Sequence, residues 1–179
     1  MSARGLLTAL LALGSLYWGS NRESSAHAQT ASSLPRVLLS ADSLAPRPIE
    51  QRTGEAVTHD YAQAWQDLAK SLDANRTDLL SDYFVGEAKR QVTRRIADQR
   101  QSRLRTQYVD HGHHVKAVFY AQDGGEMQLE DQVDLETKVF DGNTVIYSAR
   151  SHETFLVLMT PGADRWYIRS LQSVPENAF

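Results

Sequence analysis

The chain contains no cysteine, and that single absence removes several chemistries. No disulfide can staple the fold, no thiol can act as nucleophile, and no zinc–thiolate site or lipidated leader cysteine can exist, so stability has to come from packing. An excess of positive charge is missing too. The formal net charge is −3 with both signs interspersed, which excludes the concentrated basic face that nucleic acid requires. The local basic cluster Lys89, Arg90, Arg94 and Arg95 is read as a solvated helix stripe. There is no phosphate-cradling glycine loop, because Gly124-Gly125 sits between strand-like runs with no helix behind it. No Ser-His-Asp arrangement is legible from residue order, and no cofactor is expected. Proline is scarce at five residues, and three of them (Pro35, Pro46 and Pro48) fall within one N-terminal stretch.

What is present is enough for one core: 41% hydrophobic and 23% charged residues over 179 positions. Residues 1–28 have the marks of an export segment. Arg4 supplies the positive start, Leu6 to Trp18 the apolar run, and Ala26-His27-Ala28 the small residues a signal peptidase reads. The apolar run is shorter than the roughly 20 residues of a spanning helix. Two outcomes follow: cleavage after Ala28, or an uncleaved anchor around residues 5–18 with Tyr17 and Trp18 at the membrane interface. Residues 29–54, rich in Ser, Ala, Pro and Arg, read as a flexible tether, within which Val37-Leu38-Leu39 could dock locally. Residues 55–179 form the expected domain, exported to the periplasm or secreted.

Between Ala56 and Asn75, Tyr61, Trp65, Leu68, Ala69 and Leu72 recur at helical spacing and define one apolar face. Thr53 or Thr58 is the expected N-cap. A short helix is expected over Thr77 to Phe84, stopped by Gly86, and a longer, arginine-rich one from Glu87 to about Arg105 with a narrow stripe of Ala88, Val92, Ile96, Ala97 and Leu104. The pattern then changes period. Four strands are expected: Gln107 to Ala121, a second in which Met127, Leu129, Val133, Leu135 and Val139 alternate with polar residues, Thr144 to Thr160, and Arg165 to Val174. Asp123-Gly124-Gly125, Asp141-Gly142-Asn143 and Pro161-Gly162 separate them. Strands of this length demand curvature or bulges. The fold class is therefore α+β, with N-terminal helices packed on a strongly curved, four-stranded antiparallel meander.

With its helix Tyr61-Ala62-Gln63-Ala64-Trp65, its short segment Asp78-Leu79-Leu80-Ser81-Asp82-Tyr83-Phe84 and its closing strand Arg165-Trp166-Tyr167-Ile168, the chain resembles the nuclear transport factor 2-like superfamily, in its exported bacterial branch. The resemblance spans roughly Thr58 to Pro175. It implies a cone-shaped α+β domain. Enzymes of that superfamily, such as ketosteroid isomerase and scytalone dehydratase, work with Asp, His or Tyr in the cone, but shared fold does not transfer activity, and no catalytic residue is carried over.

Three candidate sites remain. In Asp110-His111-Gly112-His113-His114, alternation would place His111 and His113 on one strand face, with Asp110 or His152 as a further metal ligand; surface residues are the plainer reading. His152 and Glu153 face Asp134 and Glu136 on the preceding strand, but neighbours on a strand point to opposite faces, so cross-strand surface pairing explains them as well as acid–base chemistry does. Tyr61, Trp65, Tyr83, Tyr147 and Trp166 would line a ligand pocket or fill a core. The expected function is a non-catalytic domain binding a protein partner or a second copy near the envelope. A small-molecule-binding or acid–base enzyme using the cone is the alternative.

Overall fold

The structure, a computed structural model, describes residues 33–41, 44, 46–80 and 82–175. The expected export segment lies outside the described residues. Ser33–Phe179 forms one compact unit. Among the described residues the order is β1 (Val37–Ser40), α1 (Gln51–Ala74), a single 3₁₀ turn (Asp78–Leu80), α2 (Gly86–Gln101), β2 (Leu104–Tyr120), β3 (Met127–Asp141), β4 (Thr144–Pro161) and β5 (Trp166–Val174). The two helices pack on one five-stranded sheet in the order β1-β2-β3-β4-β5. None of the described helices is long and apolar enough to cross a membrane.

The four meander strands form as their alternation dictates, and a short strand joins them. β1 pairs in parallel with β2, Val37 opposite His113 and Leu39 opposite Val115. The stretch expected as a tether thus carries β1 and the first turn of α1. Val37, Leu39 and Ile49 pack against the core, and that burial offsets the entropy of ordering a segment whose prolines forbid a helix.

α1 begins earlier than the sequence suggests. Glu50 is its N-cap, in extended conformation, with no side-chain cap. Thr53 and Thr58 are both inside the helix, and Thr58 Oγ1 donates back to the Gly54 carbonyl at 2.7 Å. Asn75 ends the helix in the left-handed region at φ 53°, one of the few non-glycine residues that tolerates it. The apolar face behaves as read: Tyr61, Trp65, Leu68 and Leu72 are all buried. The expected helix over Thr77 to Phe84 shrinks to the 3₁₀ turn, and the chain then runs to Phe84, where paired bonds take over: Ile168 N–H donates to the Tyr83 carbonyl (2.8 Å) and Val85 N–H to the Ile168 carbonyl (3.0 Å). α2 buries only Ala88, Val92, Ile96 and Gln99.

The curvature comes from register shifts at Asp110/His113 and Ala117/Phe119 between β2 and β3, at Val139/Phe140 between β3 and β4, and at Leu158/Met159 between β4 and β5. The core lies between the helices and the concave side of the sheet, where Met127, Leu129, Val133 and Leu135 of β3 meet Tyr61, Leu68 and Leu72. β5 covers only part of β4. Its last pair is Thr154 with Val174, and the next position is Pro175, which has no N–H to give.

Candidate functional site

In β3 the alternation that buries Met127, Leu129, Val133 and Leu135 also buries position 131, and that position is an aspartate with no exposed surface. An isolated carboxylate there would be costly, so its partners define the most unusual place in the molecule. Tyr61, from the apolar face of α1, donates its hydroxyl to Asp131 Oδ2 at 2.7 Å. His113 Nδ1 lies 2.8 Å from the same oxygen, and His113 Nε2 lies 2.7 Å from Asp110 Oδ2. Asp131 Oδ1 has no hydrogen-bond partner. Trp65, one turn after Tyr61, sets its ring centroid 4.7 Å from that of His113 and 5.5 Å from that of Phe155.

His113 reaches this position because of the bulge. The ladder to β3 slips between Asp110 and His113, and Gly112 takes φ +125°, a conformation L side chains rarely adopt. The expectation that His111 and His113 share one face is therefore corrected: His111 points to solvent, whereas His113 is buried. Simple alternation fails because the bulge inserts residues that strict period-two counting does not allow for. Among the described residues, no three His, Asp or Glu side chains converge to hold a metal ion.

With a carboxylate at each ring nitrogen, both nitrogens act as donors only in the imidazolium form. Burial pulls the His113 pKa down, but hydrogen bonds to Asp110 and Asp131 outweigh it and hold the pKa at about 9. Burial, then the Asp131 charge, pushes the Tyr61 phenol well above its ordinary value. A buried cation thus lies between two carboxylates, with the Trp65 ring beside it tilted 49° to the imidazole. The sign of the pH effect follows. A folded-state pKa raised from 6.5 to about 9 adds stability that is complete below pH 6.5 and is lost as the pH rises through 9. At 1.36 kcal/mol per pKa unit the swing is roughly 3 kcal/mol. Urea unfolding at the two ends of that window should show it, and His113→Gln should flatten it; equal stability at both ends would refute the assignment of charge.

The other candidates stand apart. On the outer face, His152 is directly opposite Asp134, with its Nδ1 3.1 Å from Asp134 Oδ1 and its side chain 86% exposed. Arg150 donates to Asp134 Oδ2 at 3.0 Å and holds that carboxyl below the usual range. Glu153 accepts from Ser151 Oγ. The Asp134 contacts are cross-strand surface pairs, whereas Ser151 and Glu153 pair within β4. Of the five aromatic candidates, Tyr61, Trp65 and Trp166 are buried, Tyr83 is half-buried, and Tyr147 is 55% exposed near the β3–β4 hairpin. Tyr61 and Trp65 meet edge to face, whereas Trp166 packs against Tyr120 and Tyr83 lies under Arg165. A cleft of about 580 Å³ lies between β1 and the start of α1, and another of about 430 Å³ lies on the outer face beside His111, His114 and His152. Neither is lined by Tyr61, Trp65, His113 or Asp131.

Asp131 is absent from the candidates read in the sequence although a signal is there: it is the one ionisable residue in the alternating buried run Met127, Leu129, Asp131, Val133 and Leu135. Asp110 and His113 are visible in the sequence only as members of a surface-looking cluster.

No protein-family model matches the sequence, and comparison with curated proteins returns no match. The crystal structure of the intermembrane space region of the chloroplast protein ARC6 superposes with a TM-score of 0.62 at 17% identity, over 73% of this chain and all of that one. The two chains share one α+β fold, helices packed on a strongly curved sheet, which is the cone shape that the resemblance read in the sequence implies. Two further solved structures are more distant. ActVI-ORFA from Streptomyces coelicolor gives a TM-score of 0.47 at 12% identity, over 68% of this chain and 96% of that one. Aln2 from another Streptomyces strain gives 0.47 at 13%, over 73% and 96%. At such identities the likeness is one of fold. On the concave side of the sheet, the chain of contacts runs Tyr61–Asp131–His113–Asp110.

Proposed function

We propose that this chain is an exported, non-catalytic binding domain that works at the cell envelope through its sheet. The observation that carries this reading is the filled cone. Tyr61, Trp65, His113 and Asp131 are buried, and neither described cleft is lined by them, which supports binding over turnover. Charged or polar groups locked to one another, with indole and phenol rings packed against them, are suited to fixing a shape rather than to turnover. Export rests on the leader pattern of residues 1–28. The description of the ARC6 region as an intermembrane space domain is compatible with this fold serving outside the compartment of synthesis. The partner is a protein or a second copy of the chain, and the N-terminal segment would tether the domain to a membrane if it stays uncleaved.

A second reading rests on the same buried chain. If the cone breathes, His113 and Asp131 beside Tyr61 and Trp65 would form a pocket for an apolar molecule, with acid–base chemistry available. One experiment separates the two. A panel of steroid-like and polycyclic aromatic compounds, screened by thermal shift, should leave the melting temperature unchanged, while fractionation should place the protein outside the cytoplasm. A compound that raises the melting temperature, and loses that effect in Asp131→Asn, overturns the non-catalytic reading.

A further inference from the structure

We propose that the uncovered half of β4 is a self-pairing edge, and that two copies join there across a two-fold axis through Ala149. The proposal deepens the binding-domain reading by naming the partner as a second copy, and it rests on that reading.

Because β5 stops at the pair Thr154–Val174, Thr144–Glu153 has β3 on one side and no strand on the other among the described residues. Such a row of backbone donors and acceptors is a template for a further strand, and soluble proteins usually blunt it with lysine, proline or a cover. Neither lysine nor proline occurs between Thr144 and Glu153. Arg150, the one fixed positive charge there, is turned to Asp134 on the outer face. Apolar surface collects at the free end instead: Val145, Ile146 and Tyr147 are 48%, 56% and 55% exposed.

Charge and geometry select one register. In a two-fold antiparallel pair each residue meets one on the same sheet face, so the axis passes through a residue. Centring on Arg150 would set two guanidiniums against each other, which is destabilising. Centring on Ser151 would set Arg150 against His152 and run into Thr154, already held by Val174. Centring on Ser148 pushes the ladder into the bulge between Val139 and Phe140. Centring on Ala149 leaves Tyr147–Ser151 clear of both obstacles, with the bulged Ile146 just outside that stretch. It sets Tyr147 against Ser151 and Ser148 against Arg150, with no like charges opposed.

The absence of cysteine makes the test clean. In the full chain, Ala149→Cys should form an intermolecular disulfide on mild oxidation, because directly opposed strand residues come within bridging distance. Asn143→Cys, at the hairpin tip, should not. Light scattering from micromolar to near-millimolar concentration should show a mass rising to twice the monomer value. Ser148→Lys, facing Arg150, should weaken association roughly tenfold, and Ser148→Glu should strengthen it. Ser148 is exposed, so neither change endangers the fold. A monomer at all concentrations overturns the proposal, as does a dimer indifferent to both Ser148 changes and uncrosslinked at Ala149. A monomer that instead takes up an extended peptide at this edge also overturns it, yet leaves the binding-domain reading standing. A ligand found in the cone would remove that reading without touching the self-association result.

Discussion

Asp131→Ala is expected to lower the free energy of unfolding by about 3–5 kcal/mol, the cost of breaking a buried charge pair from one side. Three defects arise together. The His113 imidazolium, with no exposed side-chain surface, keeps only Asp110; the Tyr61 hydroxyl loses its acceptor; and a void opens between α1 and β3. Urea denaturation at pH 6, where His113 is fully charged, shows the effect at its largest. At pH 9.5 the gap to the parent should narrow, because the parent has by then lost its own stabilisation. A loss under about 1 kcal/mol at pH 6 would mean that the interactions around Asp131 do not stabilise the protein.

The informative companion is a triple change, Tyr61→Phe, His113→Leu and Asp131→Leu, which replaces Tyr61, His113 and Asp131 together at similar volume. Buried ion pairs replaced by packed apolar residues are often neutral or better. The triple variant is therefore expected to match or exceed the parent in stability while the single variant falls far below it. If so, the network is retained for a property other than stability, and the two candidates are a fixed shape for the sheet and chemistry in the cone. The ligand screen and the self-association measurements then distinguish them.

How much can be read in the chain varies with the kind of signal. The α1 face and the four meander strands follow from hydrophobic period alone, because Trp65, Leu68 and Leu72 at one spacing and Met127, Leu129, Val133 and Leu135 at another leave only one way to bury them. β1 is not legible as a strand: Val37–Ser40 is too short to display a period, and it is held by the edge of β2 and by the core under Val37 and Leu39, which are tertiary causes. The α1 start is misleading because Thr53 and Thr58 suit a cap, while Glu50 takes the extended cap position, its Oε1 held by Arg47 Nε at 3.2 Å. The site is hidden for a related reason. One bulge at Gly112 reverses the face of His113, and whether a strand bulges depends on its neighbours. Asp131 alone carries a local clue, as a charge at a core position. Its meaning needs Tyr61 and His113, which are 70 and 18 residues away along the chain.

Trp65→Ala should rival Asp131→Ala, at about 3–5 kcal/mol, and for a different reason. The indole is buried and forms the lid of the network, with its ring centroid 6.3 Å from that of Tyr61, 4.7 Å from His113 and 5.5 Å from Phe155. Removing it deletes apolar burial and the ring packed beside the imidazolium, and it opens a space beside groups that cannot move to fill it: His113 is pinned at both nitrogens. Trp65→Phe, which keeps an aromatic face and most of the volume, should cost about 1–2 kcal/mol. The measurement is equilibrium unfolding for both variants, with small aromatic probes tested against Trp65→Ala, since an apolar cavity of this kind takes up such molecules. A recovery of stability with an aromatic probe in Trp65→Ala, absent in the parent, would show that the indole closes the cone. A loss below about 1 kcal/mol would show that α1 does not clamp the sheet there, and the buried interior on which the non-catalytic reading depends would go with it.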